Sequence, residues 1–327
     1  MKAIVITKVG GAEVLEIREV PTPEPFADQI RVRVRACGLN RADLMQCRGY
    51  YPAPPGAPPD IPGLEYAGEV DALGPGCVGP LKVGDRVFGI VGGGGEAEFI
   101  ITHERMAVPF PANLDFEQVA AVPEVFITAH DALVTRAQTR PGDTVLIHAV
   151  GSGVGTAALQ IAKAMGCTVF GTSRTAAKLR KAAGLGLDLG IETPGEDLVG
   201  AVNEATKGRG VDVVIDLVGA PVFADNVKVL ANCGRLVVVG LLGGGTGSVN
   251  LAELMKKRLR VIGTTLRARP LEEKIAATRQ FAETVVPWLE RGSVRPVVDQ
   301  VFAFNDVRAA QARLEANLGF GKIVLRV

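Results

Sequence analysis

Cysteine is scarce and unpaired in this chain of 327 residues. Its five cysteines, Cys37, Cys47, Cys77, Cys167 and Cys233, include no Cys-x-x-Cys pair. That excludes a disulfide scaffold and a structural zinc site and points to a reducing compartment, the cytoplasm. An excess of charge is also lacking, with 36 Lys and Arg against 35 Asp and Glu, so no overall field draws the molecule to nucleic acid or an anionic membrane. Residues 1–7 carry neither the apolar region nor the cleavage site of a signal peptide. One stretch without charge, residues 144–162, contains His148, Ser152 and several glycines, and reads as strand, turn and helix rather than a membrane span. No internal repeat is present. Glycine, by contrast, is abundant at 40 residues, well above the usual share of roughly 7%. No collagen-like period organises these glycines, so they belong at tight turns and close backbone approaches.

Residues 1 to about 120 read as strands and turns. In residues 29–36, Ile30, Val32 and Val34 alternate with Arg31, Arg33 and Arg35, the period-two signature of a strand with one wet face. Residues 3–7, 14–20, 65–73, 85–90 and 98–102 are further strands, and the Pro-rich 51–62 is a loop. The pattern is antiparallel and barrel-like.

Beyond Leu114 the texture changes. Residues 116–121 and 127–135 are expected to be helical, and then strands and helices alternate. Strands 144–149, 168–172, 187–191, 211–217, 235–241 and 260–264 are separated by helices 154–165, 176–183, 196–206, 222–230 and 251–257. Six strands with helical crossovers predict a doubly wound parallel sheet. Helix 271–291, strand 297–304, helix 305–316 and strand 322–327 then rejoin the first domain. The expected fold class is α/β, with residues 123–266 inserted into a domain made of 1–122 and 267–327.

The densest functional signal is His148-Ala149-Val150-Gly151-Ser152-Gly153-Val154-Gly155, between the first parallel strand and its helix. Small residues there let the backbone approach a pyrophosphate, and the helix N-terminus attracts its charge. Gly151, Ser152, Gly153, Val154 and Gly155 are the expected dinucleotide cradle, although Thr156 takes the last slot of a literal Gly-x-Gly-x-x-Gly. About 18 residues further on, where an NAD-specific site carries Asp or Glu, the chain has Ser173 and Arg174, with Lys178 one helical turn on. A hydroxyl and two cations suit a 2′-phosphate, so the expected cofactor is NADPH. The turn at Gly240, Leu241 and Leu242 lies at a strand's carboxyl end, where it should pass over the cofactor.

Further motifs are Cys37-Gly38-Leu39-Asn40-Arg41-Ala42-Asp43-Leu44, Gly63-Leu64-Glu65-Tyr66-Ala67-Gly68, Val83-Gly84-Asp85-Arg86-Val87-Phe88-Gly89 and Gly321-Lys322-Ile323-Val324-Leu325. In order and spacing they resemble the medium-chain dehydrogenase/reductase superfamily along the whole chain, and within it the zinc-free quinone oxidoreductases. The resemblance implies a GroES-like β-barrel catalytic domain around a Rossmann domain. It also implies that residues matching Phe320 and Lys322 lie near the cofactor, and that the molecule is a homodimer or a dimer of dimers. Where zinc alcohol dehydrogenases of the superfamily carry metal ligands, this chain has Asn40, Leu64 and, near the third position, Glu124. An amide, a leucine and a carboxylate do not make a zinc site. Thr193 stands where many subfamily members have a cofactor-holding Tyr.

With no metal and no Ser/His/Asp or Cys/His set, the chemistry falls to the cofactor. Asn40 is the expected donor to the acceptor carbonyl, Tyr51 a ring that hydrogen-bonds or stacks on the acceptor, and Thr128 a nicotinamide contact. Each also has a structural reading: a turn cap, a loop-packing aromatic and a helix-start residue. His130 and His148 are alternative proton donors. Three functions are compatible with these residues. The first is an NADPH:quinone oxidoreductase. The second is an NADPH-dependent reductase of activated C=C bonds in enals, enones or enoyl thioesters. The third is a non-enzymatic protein binding NADPH and RNA, for which Lys256, Lys257, Arg258, Arg260, Arg267 and Arg269 supply a basic cluster.

Overall fold

The computed structural model describes residues 1–327, which divide into two units. The first comprises Met1–Ile127, Leu266–Gly292 and Pro296–Val327, and the second Thr128–Thr265 with Ser293–Arg295.

Strands β1 (Lys2–Ile6) and β2 (Leu15–Glu19) pair antiparallel. The arginine-interleaved segment forms β3 (Gln29–Gly38), followed by helix α1 (Arg41–Cys47), β4 (Glu65–Leu73), β5 (Arg86–Ile90), β6 (Phe99–His103) and β7 (Val108–Pro109). Alternation decides how β3 faces. Ile30, Val32 and Val34 enter the core, while Arg31 and Arg33 pair with Asp71, Arg35 pairs with Glu69, and Phe99 lies under both Arg31 and Arg33. Short helix α2 (Phe116–Ala120) leads to α3 (Pro123–His130). Helix α3 starts four residues earlier than its pattern suggested, because Pro123 suits a first helical position. A wide π-helical turn, Asp131–Arg136, extends it.

In the second unit β8 (Thr144–Ile147), α4 (Gly153–Ala164), β9 (Thr168–Ser173), α5 (Ala176–Ala183), β10 (Leu189–Glu192), α6 (Leu198–Thr206), β11 (Val211–Asp216), α7 (Ala220–Val229), β12 (Leu230–Val238), α8 (Leu251–Lys257) and β13 (Arg260–Gly263) alternate. Their strands form a six-stranded parallel sheet in the order β10-β9-β8-β11-β12-β13, which is the doubly wound arrangement read from the sequence. Strand β12 begins earlier than the apolar run that marked it, because Leu230 already pairs with Val211 ahead of a bulge.

The chain then returns to the first unit through α9 (Leu271–Glu290), β14 (Val298–Ala303), α10 (Val307–Glu315) and β15 (Lys322–Arg326). The sheet of this unit runs β14-β15-β3-β4-β5-β7, with β6 also on β3. β15 pairs with the last residues of β3, and β6 with its first half. A core of Ile30, Val32, Tyr66, Val70, Val87, Ile100, Ile323 and Leu325, among others, fills the barrel. No helix is long and apolar enough to cross a membrane.

Candidate active site

The cradle of the second unit is built where β8 stops. His148 N–H donates to the Ile215 carbonyl (3.0 Å) and Val150 N–H to that of Thr172 (2.9 Å), so the turn is sewn to strands on both sides. Ser152 then caps α4, its hydroxyl accepting from Gly155 N–H at 3.1 Å. A Cβ on Gly155 would lie 2.5 Å from the Ala149 carbonyl oxygen and 2.7 Å from Val150 Cα. Only glycine lets the helix press so closely on the turn. The first turn of α4 carries no acidic side chain, leaving its positive end available to an anion. These features fit a dinucleotide pyrophosphate at Gly151–Gly155.

At the carboxyl end of β9, Ser173 is buried, its hydroxyl accepting from Thr175 N–H at 3.4 Å. Arg174 is exposed and Lys178 half-buried on the first turn of α5. Gly240 N–H donates to the Asp216 carbonyl, and Leu242 N–H to that of Leu217. The 240–242 segment thus continues alongside β11 past the end of β12, with Leu241 and Leu242 exposed.

Beneath the cradle runs a buried polar chain. His148 contacts the Thr172 hydroxyl through Nδ1 (2.9 Å) and Asn226 Oδ1 through Nε2 (2.6 Å). Asn226 Nδ2 donates to Asp216 Oδ2 at 3.0 Å, and Asp216 Oδ1 accepts from the N–H groups of Val218 and Gly219. With Asn226 Oδ1 accepting, His148 carries its proton on Nε2. Burial lowers the basicity of His148. The chain ties together the ends of β8, β9 and β11 and makes His148 a neutral clamp rather than a proton donor. Burial likewise pushes His130 down to about 4, and its Nε2 has no hydrogen-bond partner. It too is neutral at physiological pH.

In the first unit a second cluster gathers around Glu65, which is fully buried. Lys322 Nζ donates to Glu65 Oε1 (2.5 Å), Asn40 Oδ1 (2.8 Å) and the Leu39 carbonyl (2.6 Å). Asn40 Nδ2 donates to the same Glu65 oxygen at 2.7 Å, and Glu124 N–H to Glu65 Oε2 at 2.8 Å. These contacts orient the Asn40 amide: its oxygen faces the ammonium and its nitrogen the carboxylate. Lys322, which the family resemblance implies lies near the cofactor, has its three ammonium protons on three acceptors within the chain and so serves as an internal counter-ion to Glu65.

Asn40 also opens α1, where Asp43 Oδ2 accepts its N–H at 2.6 Å and Asp43 Oδ1 accepts from Gly63 N–H at 3.2 Å. Behind Asp43 lies Glu96, fully buried and with no hydrogen-bond partner on either oxygen. Burial, then the Asp43 charge, raises Glu96 well above the usual carboxylate range. Of the two, Asp43 holds the charge, because its oxygens accept backbone N–H groups. Glu124 is half-buried. Removal from water, then the Glu65 charge, pushes it up to about 8.

Arg267 is buried and donates to the Gly92 carbonyl (2.8 Å), the Tyr51 carbonyl (2.9 Å) and Gln46 Oε1 (2.5 Å), with the Tyr51 ring 5.0 Å from its guanidinium. Half-buried Tyr51 is therefore held at its root, on a loop that Gln46 Nε2 also anchors through the Pro59 carbonyl. Thr128 lies inside α3 rather than at its start. Phe320 is buried, its N–H donating to Asp299 Oδ1.

The basic cluster weighed for RNA loses two members. Arg267 is this internal pin, and Lys257 Nζ donates to the carbonyls of Val227, Lys228 and Leu230. Glu65, Asp43, Glu96 and Arg267 escaped sequence reasoning as site residues. Only Asp43 had a local signal, the Asn-x-x-Asp spacing of a reciprocal helix start.

Residues 27–112 match the model of the alcohol dehydrogenase GroES-like domain, and residues 153–285 that of the zinc-binding dehydrogenases. The chain is 36% identical over 329 residues to a quinone oxidoreductase of Pseudomonas aeruginosa, covering 99% of each. The chain belongs to the quinone oxidoreductase branch of the medium-chain dehydrogenase/reductase superfamily. A quinone oxidoreductase of Rattus norvegicus is 32% identical, covering 99% of this chain and 97% of that one. Among solved structures, an NAD-dependent alcohol dehydrogenase is similar at a TM-score of 0.89 and 34% identity, covering 100% of both chains. A mycobacterial protein complexed with NADPH reaches 0.90 at 28% identity, again over 100% of both. An enoyl reductase reaches 0.86 at 26%, over 99% of this chain and 98% of that one.

Membership makes this an oxidoreductase of the nicotinamide-dependent fold. Although one matching family is named for zinc, no group of three or more His, Cys, Asp or Glu is arranged to hold a metal ion. Where such a ligand set would stand, Leu64 offers no donor and the Glu65 carboxylate is already paired with Lys322. These donors do not fit zinc.

Proposed function

We propose that this oxidoreductase is an NADPH-dependent, metal-free quinone reductase. The observation that carries the reading is the Asn40 amide, held by Lys322 and Glu65 in one orientation in place of a metal site. Of the two Asn40 Nδ2 protons, one is held by Glu65 at 2.7 Å and the other rests on the Gly38 carbonyl at only 3.3 Å. This second N–H would turn to polarise an acceptor carbonyl, while Tyr51, tethered through Arg267, would hold the acceptor ring. When bound, the reduced nicotinamide supplies the hydride, a two-electron transfer. Gly151–Gly155 and the α4 N-terminus would hold its pyrophosphate, and Ser173, Arg174 and Lys178 the 2′-phosphate. The 240–242 segment and Thr128 would contact its nicotinamide end. The acceptor belongs to the domain of residues 1–122 and 267–327, and the cofactor to residues 123–266.

The relatives' quinone oxidoreductase names support the quinone, and the mycobacterial NADPH complex supports the cofactor. A second reading, reduction of activated C=C bonds, is favoured by the enoyl reductase likeness, since the same donor geometry serves an enone carbonyl. Five free cysteines support a cytoplasmic setting, and the exposed edge strand β13 supports a homodimer.

The test is a panel of 1,4-benzoquinone, 9,10-phenanthrenequinone and a simple enone with NADPH and with NADH. Turnover of the quinones with NADPH, at least tenfold more efficient than with NADH, is expected, since one lost phosphate ion pair is worth about 1.4 kcal/mol or more. Turnover of the enone alone overturns the quinone reading, and an NADH preference overturns the role of Ser173, Arg174 and Lys178.

A further inference from the structure

Glu65 is one carboxylate with two neighbours of interest on its two oxygens. Asn40 occupies Oε1 through its amide, and Glu124 occupies Oε2 through its backbone N–H. The side chain of Glu124 therefore starts beside the oriented amide. It is half-buried, and its carboxyl makes no hydrogen bond or ion pair within the chain. The one ammonium nearby, Lys322, has all three protons committed to Glu65, Asn40 and the Leu39 carbonyl. A carboxyl group placed against an ionised one, with no cation of its own, keeps its proton.

We propose that Glu124 is a catalytic acid, delivering its carboxyl proton to the acceptor oxygen that Asn40 polarises. The inference rests on the reductase reading and deepens it. In the step the acceptor gains a hydride from the dihydronicotinamide. The O–H bond of Glu124 breaks as an O–H bond forms on the acceptor oxygen, giving quinol or, from an enone, enol. The electron pair left behind makes Glu124 a carboxylate, which is reprotonated from bulk water. One hydride and one proton thus convert quinone to quinol, with no other reactant.

The charges facing Glu124 come from four elements. Glu65 on β4 and Asp43 on α1 favour the protonated form, whereas Lys322 on β15 and Arg267, just ahead of α9, oppose it. Burial and the carboxylates prevail, and Glu124 titrates at about 8. A general acid poised near the working pH is the effective kind. Neither buried histidine competes for the role, since both are neutral.

The test uses the full chain with Glu124→Gln, which keeps the shape and removes the proton, and Glu124→Asp, which shortens but keeps the acid. Infrared difference spectroscopy across a pH titration should show a protonated carboxyl at pH 7 that is lost near pH 8 and is missing from Glu124→Gln. With 1,4-benzoquinone, kcat of Glu124→Gln should fall about a hundredfold, while NADPH affinity, read by fluorescence titration, stays at the wild-type value. Glu124→Asp should recover part of the rate. The wild-type rate should decline as pH rises through about 8, and Glu124→Gln should lose that limb. An ionised Glu124 at pH 7, or wild-type turnover by Glu124→Gln, overturns the proposal while the reductase reading stands. If the wild-type chain reduces neither quinone nor enone, the reductase reading falls and the acid role falls with it, whatever the infrared titration shows.

Discussion

Glu96 is the residue most at odds with its surroundings, a carboxyl sealed in the barrel of the first unit with no partner on either oxygen. It is tolerated because it is neutral. In the folded chain its pKa lies well above its ordinary value, so the folded state keeps a proton that the unfolded state releases above about pH 4.3. The folded state binds more protons, and stability therefore falls as pH rises from that point, by roughly 1.4 kcal/mol per pH unit until the folded pKa is reached. Glu96→Gln has no such proton to lose. Its melting temperature should overtake the wild type by a margin that widens from pH 5 to pH 9, and parallel curves would show that Glu96 is not the neutral partner of Asp43. Nothing in the sequence announces this pair. Asp43 and Glu96 are far apart along the chain and meet only because α1 and the 92–96 turn converge on Gly63, whose backbone contacts both Asp43 and Glu96.

At the scale of elements, Arg267 joins three segments that share no regular pairing: helix α1 through Gln46, the loop of Tyr51, and the glycine-rich turn at Gly92. The planar guanidinium spreads its donors over three nitrogens, reaching acceptors on separate segments while lying against the Tyr51 ring, whereas an ammonium gathers its donors at one point. Arg267→Met should lower stability by about 3 kcal/mol, from the buried acceptors left unpaired, and should raise the KM for the acceptor more than it lowers kcat. Arg267→Lys should rescue little of either. Thermal unfolding with limited proteolysis of residues 50–62 provides the check, and a Lys variant as stable and as protease-resistant as the wild type would remove Arg267 from this role. Elements of this kind divide what a sequence can disclose. The arginine alternation of β3 and the glycine cradle of α4 are local, and their periodicity or turn chemistry is enough to place them. The contacts of Arg267 and Lys322 are made across the fold. The basic character of Arg267 suggested a nucleic-acid face, and the family resemblance placed Lys322 near the cofactor; neither signal tells which acceptors a side chain will meet once it is buried.

At the scale of the whole molecule, β13 ends the six-stranded sheet with its outer edge unpaired. Val261 on that strand is 44% exposed and Met255 on the preceding helix 78% exposed. An apolar, open sheet edge invites pairing with an identical edge. Light scattering should give a mass near twice the 34.2 kDa of one chain, and Val261→Lys should shift it towards one. A wild-type monomer would contradict the dimer and require another cover for the edge.

The Glu65–Lys322 ion pair joins residues 257 positions apart. A ribosome has therefore released the whole of the inserted parallel sheet before the partner of Glu65 exists, and β15, which closes the edge of β3, emerges with that partner. During synthesis the second unit can complete its fold while the first still carries an uncompensated acid in its interior and an open strand beside it. The arrival of β15 then brings the edge of β3 its partner and Glu65 its ammonium in a single event.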